Sequence, residues 1–307
     1  MNTDDQLQAL ARDAGVTAWV HATRVSGPPG EVTLRGQEPV AIASLYKLPL
    51  AVAWADLVET GDLDPHERIT LTPAGRVFGS TGISTLSDTI TLSQRDLVRL
   101  MLTLSDNTAG DVILRTVGLA RLNGWIHEAG LHNTIVRHGT SHSLRIVQAE
   151  TGAANIAMAE SALTDVESDI DTSQYDPAFA SSSTAADICR LLTSLWSPTG
   201  QAHEVVRHAM AHQAWRHRIG SGFPHDDVTI HAKTGTLGRL RHEAAVITYP
   251  DEHPVAVTVL TRAARPERHL PTVDAAIGTL AREAVTPLRA VDPAIHTTGG
   301  RDGRAHG

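Results

Sequence analysis

The chain almost lacks lysine: of its 26 lysine and arginine residues, only Lys47 and Lys233 are lysines. Arginine stays protonated at any practical pH, whereas a buried lysine loses its proton readily and can then act as a base. Lys47 ends the sequence Ser-Leu-Tyr-Lys, and Lys233 begins Lys-Thr-Gly. We therefore expect both amines to take part in proton transfer.

Clustered positive charge and long apolar runs are also missing. The net charge is -8 without a lysine or arginine run, which excludes a nucleic-acid surface, because phosphate contacts need clustered positive charge. The apolar stretches are too short for a membrane-spanning helix, so no membrane role is expected. The acidic start, Met1 to Asp5, differs from a secretory signal and predicts a cytoplasmic location.

Cysteine and metal-ligand patterns are equally scarce. Cys189 is the only cysteine, which excludes an intrachain disulfide and fits a reducing compartment. It lies in a predicted helix over residues 184–196, where we expect a buried packing residue rather than a nucleophile. The 17 histidines include no helical pair around a glutamate, so no metal is predicted. Four of them are interpreted as one solvated helical face, namely His203, His208, His212 and His217.

Strand-like segments lie at both ends of the chain, with helices between them. Branched and aromatic residues predict strands over four segments, residues 16–22, 31–34, 243–249 and 255–261. The middle has helical apolar spacing, beginning with the apolar run of residues 47–58. This order predicts a discontinuous α/β domain with an inserted all-helical domain, and an active site in the cleft between them.

The predicted domain boundaries follow the same order. Residues 1–43 and 203–288 form the sheet-containing domain, and residues 44–202 form the helical domain. Within the helical domain, residues 141–183 are rich in small, acidic and hydroxyl side chains and predict a long loop. Residues 289–307 contain too little apolar surface to pack and predict a disordered tail.

A serine lies three residues before the first lysine. On a helix that begins at Ser44, this spacing places the hydroxyl and the Lys47 amine on one face. A neutral amine there can take the serine proton, and the helix N-terminus favours the developing negative charge. The alternative is a helix cap followed by an exposed lysine, which leaves the choice of lysine at this position unexplained.

The sequence Ser-Asp-Asn begins at Ser105. Its ordinary interpretation is the end of one helix followed by the cap of the next. In a cleft, Ser105 can instead relay a proton to a leaving group, while the Asn107 amide holds a substrate carbonyl and orients Lys47.

The Lys-Thr-Gly motif leads into the late strands. Gly235 would let a substrate backbone lie close, and Thr234 and Thr236 would bind a substrate carboxylate. We expect this segment to be an edge strand that pairs with the substrate.

The three motifs, in this order, resemble those of the serine β-lactamase and DD-peptidase superfamily, and class A β-lactamases most closely. The resemblance implies the α+β fold class, with a class A β-lactamase-like antiparallel sheet flanked by helices and an inserted all-helical domain. It also implies a serine hydrolase that works through an acyl-enzyme. Ser44 would be the nucleophile, Lys47 its general base and Ser105 the proton relay. Asn107 would bind the substrate, and Lys233 would interact with both the relay and a substrate carboxylate.

The resemblance also implies the remaining binding groups. Backbone N–H groups of Ser44 and Thr236 would form the oxyanion hole. Arg241 lies on the strand after the Lys-Thr-Gly turn, where some class A enzymes have a carboxylate-binding arginine; a strand-surface arginine is the alternative. No cofactor is implied, because serine, lysine and backbone donors complete the acyl-transfer machinery.

One element of the class A pattern is missing. A Glu-Pro-Glu-Leu-Asn-like stretch, whose glutamate activates the deacylating water, would fall at residues 138–141, which contain no carboxylate. The spacing between the Ser-Asp-Asn and Lys-Thr-Gly motifs is longer than class A usually has and indicates an insertion. Candidate carboxylates in the insertion, each with a solvated loop residue as the alternative, are Glu150, Glu160 and Asp171.

Three functions remain open. The first is a β-lactamase or related hydrolase of small-molecule amides or esters, with an unconventional deacylating group. The second is a penicillin-binding-type peptidase or acyltransferase in intracellular metabolism. The third is a non-catalytic ligand sensor on the same fold, which does not explain why a lysine base is kept. The natural substrate and the oligomeric state stay open.

Overall fold

The computed structural model describes residues 3–167, 170–197 and 200–292. The helices of this part of the chain are α1 (Thr3–Asp13), α2 (Lys47–Glu59), α3 (Gln94–Thr103), α4 (Asn107–Val117), α5 (Leu119–Glu128), α6 (Thr140–Thr151), α7 (Ile156–Ala162), α8 (Ala185–Leu195), α9 (Gln201–Ala211) and α10 (Pro271–Val285). The strands are β1 (Val16–Arg24), β2 (Glu31–Leu34), β3 (Val40–Ala41), β4 (Arg68–Leu71), β5 (Ile90–Ser93), β6 (Ser182–Ser183), β7 (Thr229–Leu237), β8 (Leu240–Thr248) and β9 (Val255–Ala263).

The main sheet is antiparallel and has the strand order β2-β1-β9-β8-β7. Every residue of β9 except Arg262 is buried. Because both faces of the sheet are covered, this strand is buried on both sides instead of alternating between buried and exposed residues. β7, which carries the Lys-Thr-Gly motif, is an edge strand of this sheet, as expected from the sequence.

Helices cover both faces of the sheet. On one face, α1 and α10 form a core with the strands that includes Leu7, Val257 and Ile277. On the other face, α8 packs against β1 and β9 and joins the helical core around Trp54. α2 runs through this core and is apolar on nearly all sides; the Trp54 indole N–H donates a hydrogen bond to Gln94 Oε1 at 2.9 Å. The α+β class is confirmed.

The prediction of a long loop over residues 141–183 is wrong. The segment contains most of α6, all of α7 and a 3-10 turn at Ser173–Tyr175. α6 begins where the Asp111 carboxylate accepts hydrogen bonds from the backbone N–H groups of Thr140 and Ser141, at 2.7 and 3.0 Å. Because Asp111 lies on α4, this cap comes from a distant part of the chain and leaves no local sequence pattern.

The first residues of the predicted disordered tail, residues 289–307, contact the rest of the protein. The Arg289 guanidinium pairs with Glu252 and lies 3.8 Å from the centre of the Tyr249 ring. The prediction is wrong for residues 289–292, and residues 293–307 lie outside the described residues.

Domain boundaries and location are less fully determined. The division into residues 1–43 with 203–288, and residues 44–202, stays a prediction. Within residues 3–167, 170–197 and 200–292, no helix has the length and apolar character needed to cross a membrane. The cytoplasmic location stays a prediction.

Candidate active site

Ser44 lies where the chain leaves β3 and turns into α2. Residues Ala43–Tyr46 form a 3-10 turn, and Lys47 is the first residue of α2. Ala43 has a φ of 45°, a left-handed value that is uncommon for a residue with a Cβ. Such a conformation persists only when the surrounding structure fixes it, so the turn holds Ser44 in place at the wall of a cavity.

The Lys47 side chain is completely buried. Its Nζ donates hydrogen bonds to Ser105 O at 2.6 Å and Asn107 Oδ1 at 2.9 Å, and lies 3.4 Å from Ser105 Oγ. Burial lowers the pKa of Lys47 to about 8, although the charges of Asp106 and Asp111 act in the opposite direction. A neutral amine has two N–H groups, and both find acceptors here. The nitrogen lone pair is therefore left to accept a proton from a hydroxyl group.

Ser105 is held by a strained loop between α3 and α4. Its φ of 57° is again left-handed. The neighbouring Asp106 fixes this loop, because one carboxylate oxygen caps α4 by accepting a hydrogen bond from Ala109 N at 2.8 Å. The other oxygen accepts a hydrogen bond from Ile83 N at 2.6 Å. The loop that carries Ser105 is thus fixed by both carboxylate oxygens of Asp106.

Asn107 uses both ends of its amide within the protein. Oδ1 accepts the hydrogen bond from Lys47, and Nδ2 donates one to Phe78 O at 2.9 Å. The first contact orients Lys47, as the sequence analysis expects. The second Nδ2 hydrogen is left for another acceptor, and binding of a substrate carbonyl stays a prediction.

Lys233 is buried as completely as Lys47. Its Nζ donates hydrogen bonds to Ser105 Oγ at 2.8 Å and to Thr234 O at 2.7 Å. Burial lowers the pKa of Lys233 well below its usual value, and the positive charges of Lys47 and Arg218 lower it further. Ser105 Oγ lies between the two amines and can pass a proton between groups on its two sides.

Arg218 is a buried cation that the sequence analysis missed. It is 3% exposed, and local sequence does not reveal this, because Arg-His-Arg at residues 216–218 is typical of a surface. Its guanidinium donates hydrogen bonds to four acceptors, Asp274 Oδ1 at 2.7 Å, Gly235 O at 3.1 Å, His242 O at 2.9 Å and Thr236 Oγ1 at 2.9 Å. It fixes β7 and brings a permanent positive charge next to Thr236.

A second missed group holds the backbone of Thr234. Gln213 Oε1 accepts a hydrogen bond from Thr234 N at 2.7 Å, and Gln213 Nε2 donates one to Glu243 Oε1 at 2.7 Å. Burial raises the pKa of Glu243 to about 7. The available signal was a glutamate directly before the apolar run of residues 244–247 in β8, since a buried carboxylate needs hydrogen-bonding partners. The network positions the segment that carries Lys233.

Gly235 lies against the turn that carries Ser44. A Cβ at this position would lie 2.8 Å from Ile42 O and 3.1 Å from Leu45 Cγ. The glycine therefore allows β7 to approach this turn, and close approach of a substrate backbone at Gly235 stays a prediction. Its effect on the site is indirect, through the distance between these two segments.

Thr236 and Arg241 share one cavity. Thr236 lines the cavity beside Ser44 and also the neighbouring cavity that contains Arg241. Arg241 lines a larger neighbouring cavity of about 560 Å³ and donates hydrogen bonds to the carbonyls of Glu267 and Arg268, at 3.4 and 3.2 Å. Carboxylate binding by Arg241 and an oxyanion hole at Ser44 and Thr236 stay predictions.

The three candidate carboxylates differ in whether they line the cavity beside Ser44. It has a volume of about 90 Å³, and Glu160 is part of its wall. Glu150 instead accepts hydrogen bonds from Thr172 Oγ1 and from Ser173 N. Asp171 pairs with Arg262 at 3.0 Å, and 70% of its side chain is exposed. Of the three, only Glu160 shares a cavity with Ser44. The wall of this cavity also contains Tyr46, Asn107, His138, Thr140 and Thr236.

Cys189 and the histidines were assigned structural roles from the sequence. Cys189 is buried, and burial raises the pKa of its thiol to about 12, which confirms a packing residue. His203 contradicts the predicted solvated face, because it is buried and its Nε2 lies 2.7 Å from Asp56 Oδ1. Across the residues that the structure describes, no three histidine, cysteine or carboxylate side chains are grouped as metal ligands.

The sheet with its inserted helices, and the two lysines that meet at Ser105, define the class of serine β-lactamases and penicillin-binding proteins. The family model described as the beta-lactamase enzyme family matches residues 2–288, and the chain belongs to this family. A relative, the beta-lactamase regulatory protein BlaB of Streptomyces cacaoi, is 32% identical over 268 residues, which cover 80% of this chain and 85% of BlaB.

Solved structures show the same fold at low sequence identity. PBP-A superposes with a TM-score of 0.73 at 20% identity, over 94% of this chain and 96% of PBP-A. An ancestral class A β-lactamase has a TM-score of 0.75 at 21% identity, over 93% and 100% of the two chains. The β-lactamase of Sphaerobacter thermophilus DSM 20745 has a TM-score of 0.73 at 22% identity, over 92% and 97%. These likenesses show the fold alone.

Proposed function

We propose that the chain is a serine hydrolase that forms an acyl-enzyme at Ser44, with β-lactams or related small amides and esters as substrates. The observation that carries the proposal is the connection of two buried lysine amines through Ser105. Burial lowers the pKa of Lys47 to about 8, so part of the amine is neutral near pH 7 and can act as a base.

In the proposed acylation step, Ser44 Oγ attacks the substrate carbonyl carbon while Lys47 Nζ takes its proton. The N–H groups of Ser44 and Thr236 stabilise the resulting oxyanion. When the bond to the leaving nitrogen or oxygen breaks, Ser105 Oγ gives its proton to the leaving atom and takes the proton held by Lys47. Lys233 keeps Ser105 Oγ in position through its 2.8 Å hydrogen bond.

Positive charge at this end of the cleft favours an anionic substrate. Arg218 stays charged at any practical pH and donates a hydrogen bond to Thr236 Oγ1. Thr234 and Lys233 lie on the same strand. We therefore propose substrates that carry a carboxylate close to the bond that breaks, held near Thr234 and Thr236. Arg241 is available in the larger cavity for a second polar group.

The test is hydrolysis of a chromogenic cephalosporin by the purified protein, with Ser44→Ala as the blank. The expected result is turnover that disappears in Ser44→Ala, together with an adduct on Ser44 detected by mass spectrometry during turnover. Turnover or an adduct that persists in Ser44→Ala would exclude Ser44 as the nucleophile. Faster decay of the adduct with an added amine would identify an acyltransferase.

A second candidate, a ligand sensor on the same fold, is favoured by the name of the relative BlaB as a regulatory protein. A sensor needs a binding site but no proton-accepting lysine. Calorimetry of β-lactam binding to the original protein and to Ser44→Ala separates the two functions. Equal, reversible binding without an adduct indicates a sensor, whereas binding that becomes irreversible only with Ser44 indicates acylation.

A further inference from the structure

Hydrolysis of an acyl-enzyme needs a base for the attacking water, and residues 138–141 supply no carboxylate. The cavity beside Ser44 has room for this water. Its volume of about 90 Å³ is several times the roughly 10–15 Å³ that one water molecule occupies by the same kind of measure. Besides Tyr46, its wall contains two titratable side chains, His138 and Glu160.

We propose that Glu160 is the general base that activates this water, an assignment that rests on the acyl-enzyme chemistry proposed above. Glu160 lies on α7 and lines both the cavity beside Ser44 and the larger neighbouring cavity. It is partly buried, and the described part of the chain gives its carboxylate no hydrogen-bond or ion-pair partner. The carboxylate is therefore available to bind water.

The surroundings of Glu160 suit a base. Burial raises the pKa of Glu160 above its usual value, which makes the carboxylate a stronger proton acceptor. His138 and Tyr46 line the first cavity together with Glu160, and Arg241 and Arg268 line the second. Among the described residues that line the two cavities there is no other carboxylate, so no neighbouring negative charge opposes ionisation of Glu160.

His138 is the competing base, and its geometry counts against it. Its Nδ1 lies 3.3 Å from Gly139 O, and its Nε2 is enclosed by protein. An enclosed nitrogen cannot take a proton from water in the cavity unless the ring moves. Glu160 also lines the cavity beside Ser44, and its carboxylate has no hydrogen-bond or ion-pair partner among the described residues.

In the proposed step, Glu160 takes a proton from water while the water oxygen bonds to the acyl carbon of the Ser44 ester. The tetrahedral intermediate then expels Ser44 Oγ, and the bond between Oγ and the acyl carbon breaks. Oγ takes the proton held by Glu160. One water is consumed, and the free acid, the serine hydroxyl and the Glu160 carboxylate are formed.

The experiment measures acylation and deacylation separately. The protein is mixed with a chromogenic cephalosporin, and the Ser44 adduct is followed by mass spectrometry after the excess substrate is removed. Glu160→Gln keeps the shape of the side chain but cannot accept the proton. We expect its adduct to form at the original rate and to decay about 100-fold more slowly, a typical loss for a general base.

Two variants serve as controls. Asp171→Asn removes another carboxylate of the same insertion. The Asp171 carboxylate pairs with Arg262 and does not line the cavity, so its loss should not change adduct decay. Glu160→Asp moves the carboxylate back by one methylene and should give an intermediate decay rate. Decay in the original protein should slow as pH falls, because Glu160 must be ionised, and Glu160→Gln should lose this dependence.

The outcomes separate this assignment from the proposed function. An adduct that decays equally fast in the original protein and in Glu160→Gln overturns the role of Glu160 and leaves acylation of Ser44 standing. An adduct that does not decay measurably in either protein overturns the role of Glu160 as well. Absence of any Ser44 adduct in the original protein overturns the proposed function, and the assignment of Glu160 with it.

Discussion

Replacing Gly110 with alanine is expected to separate the reactivity of Lys47 from the stability of α4. A Cβ at Gly110 would lie 2.8 Å from Lys47 Cε and 3.2 Å from Tyr46 OH. Carbon atoms in contact prefer a separation of about 3.5–4.0 Å, so the lysine chain has to move by roughly 0.7 Å or more. The movement shifts Nζ away from its acceptors on Ser105 and Asn107.

The expected loss of activity is larger than the loss of stability. A displacement of about 1 Å in a catalytic group costs up to roughly 100-fold in rate, so acylation should slow by about 10- to 100-fold. Overpacking a core costs about 1–3 kcal/mol, and alanine gains about 0.8–1.0 kcal/mol over glycine in a helix interior. The unfolding free energy should therefore fall by no more than about 2 kcal/mol.

Stopped-flow measurement of acylation and urea unfolding test this prediction together. Gly124→Ala is the matched control, because Gly124 also lies within a helix, α5, and an added Cβ meets no atom within 4 Å. It gains the same helix propensity and should acylate at the original rate. Equal acylation rates in Gly110→Ala and Gly124→Ala would refute the argument that the position of Lys47 limits acylation.

The pH dependence, the buried arginine and the cysteine give further expected outcomes. Acylation should rise about tenfold from pH 7 to pH 9, because the neutral fraction of Lys47 grows as pH passes its pKa of about 8; a flat stopped-flow profile would contradict this. Arg218→Lys should lower the unfolding free energy by about 2–4 kcal/mol, since lysine cannot satisfy four acceptors, whereas Arg262→Lys at a surface pair should lower it by less than about 1 kcal/mol. Similar urea midpoints for the two variants would count against this. Cys189, whose thiol has a pKa of about 12, should resist a maleimide at pH 8 until the protein unfolds; rapid native labelling seen by mass spectrometry would show that it is not buried.

The sequence could identify the candidate reacting groups because their chemistry belongs to the residue type. Lysine, unlike arginine, can exchange protons, and this pointed to Lys47 and Lys233. The motif order then linked them to Ser105, and the structure places all three in one hydrogen-bonded group. The strands at both ends of the chain likewise predicted a sheet built from both ends with helices inserted between them, because strand patterns depend on short segments.

Groups that depend on distant contacts escaped the sequence analysis. The sequence next to Arg218 gives no sign that this side chain is buried, because its hydrogen-bond acceptors belong to β7, β8 and α10. The start of α6 was missed for the same reason, since Asp111 caps it from α4. In both cases the partner lies far away in the sequence, and a periodic pattern cannot reveal it.

The sequence by itself determined which side chains are candidates for acyl transfer, because the ability of serine and lysine to exchange protons is set by their covalent chemistry. Only the tertiary structure decided the surroundings of these candidates. Burial sets the pKa of Lys47, and packing places Glu160, but not Glu150 or Asp171, on the cavity beside Ser44. The physical reason is that desolvation and distance arise from contacts between segments that are remote along the chain.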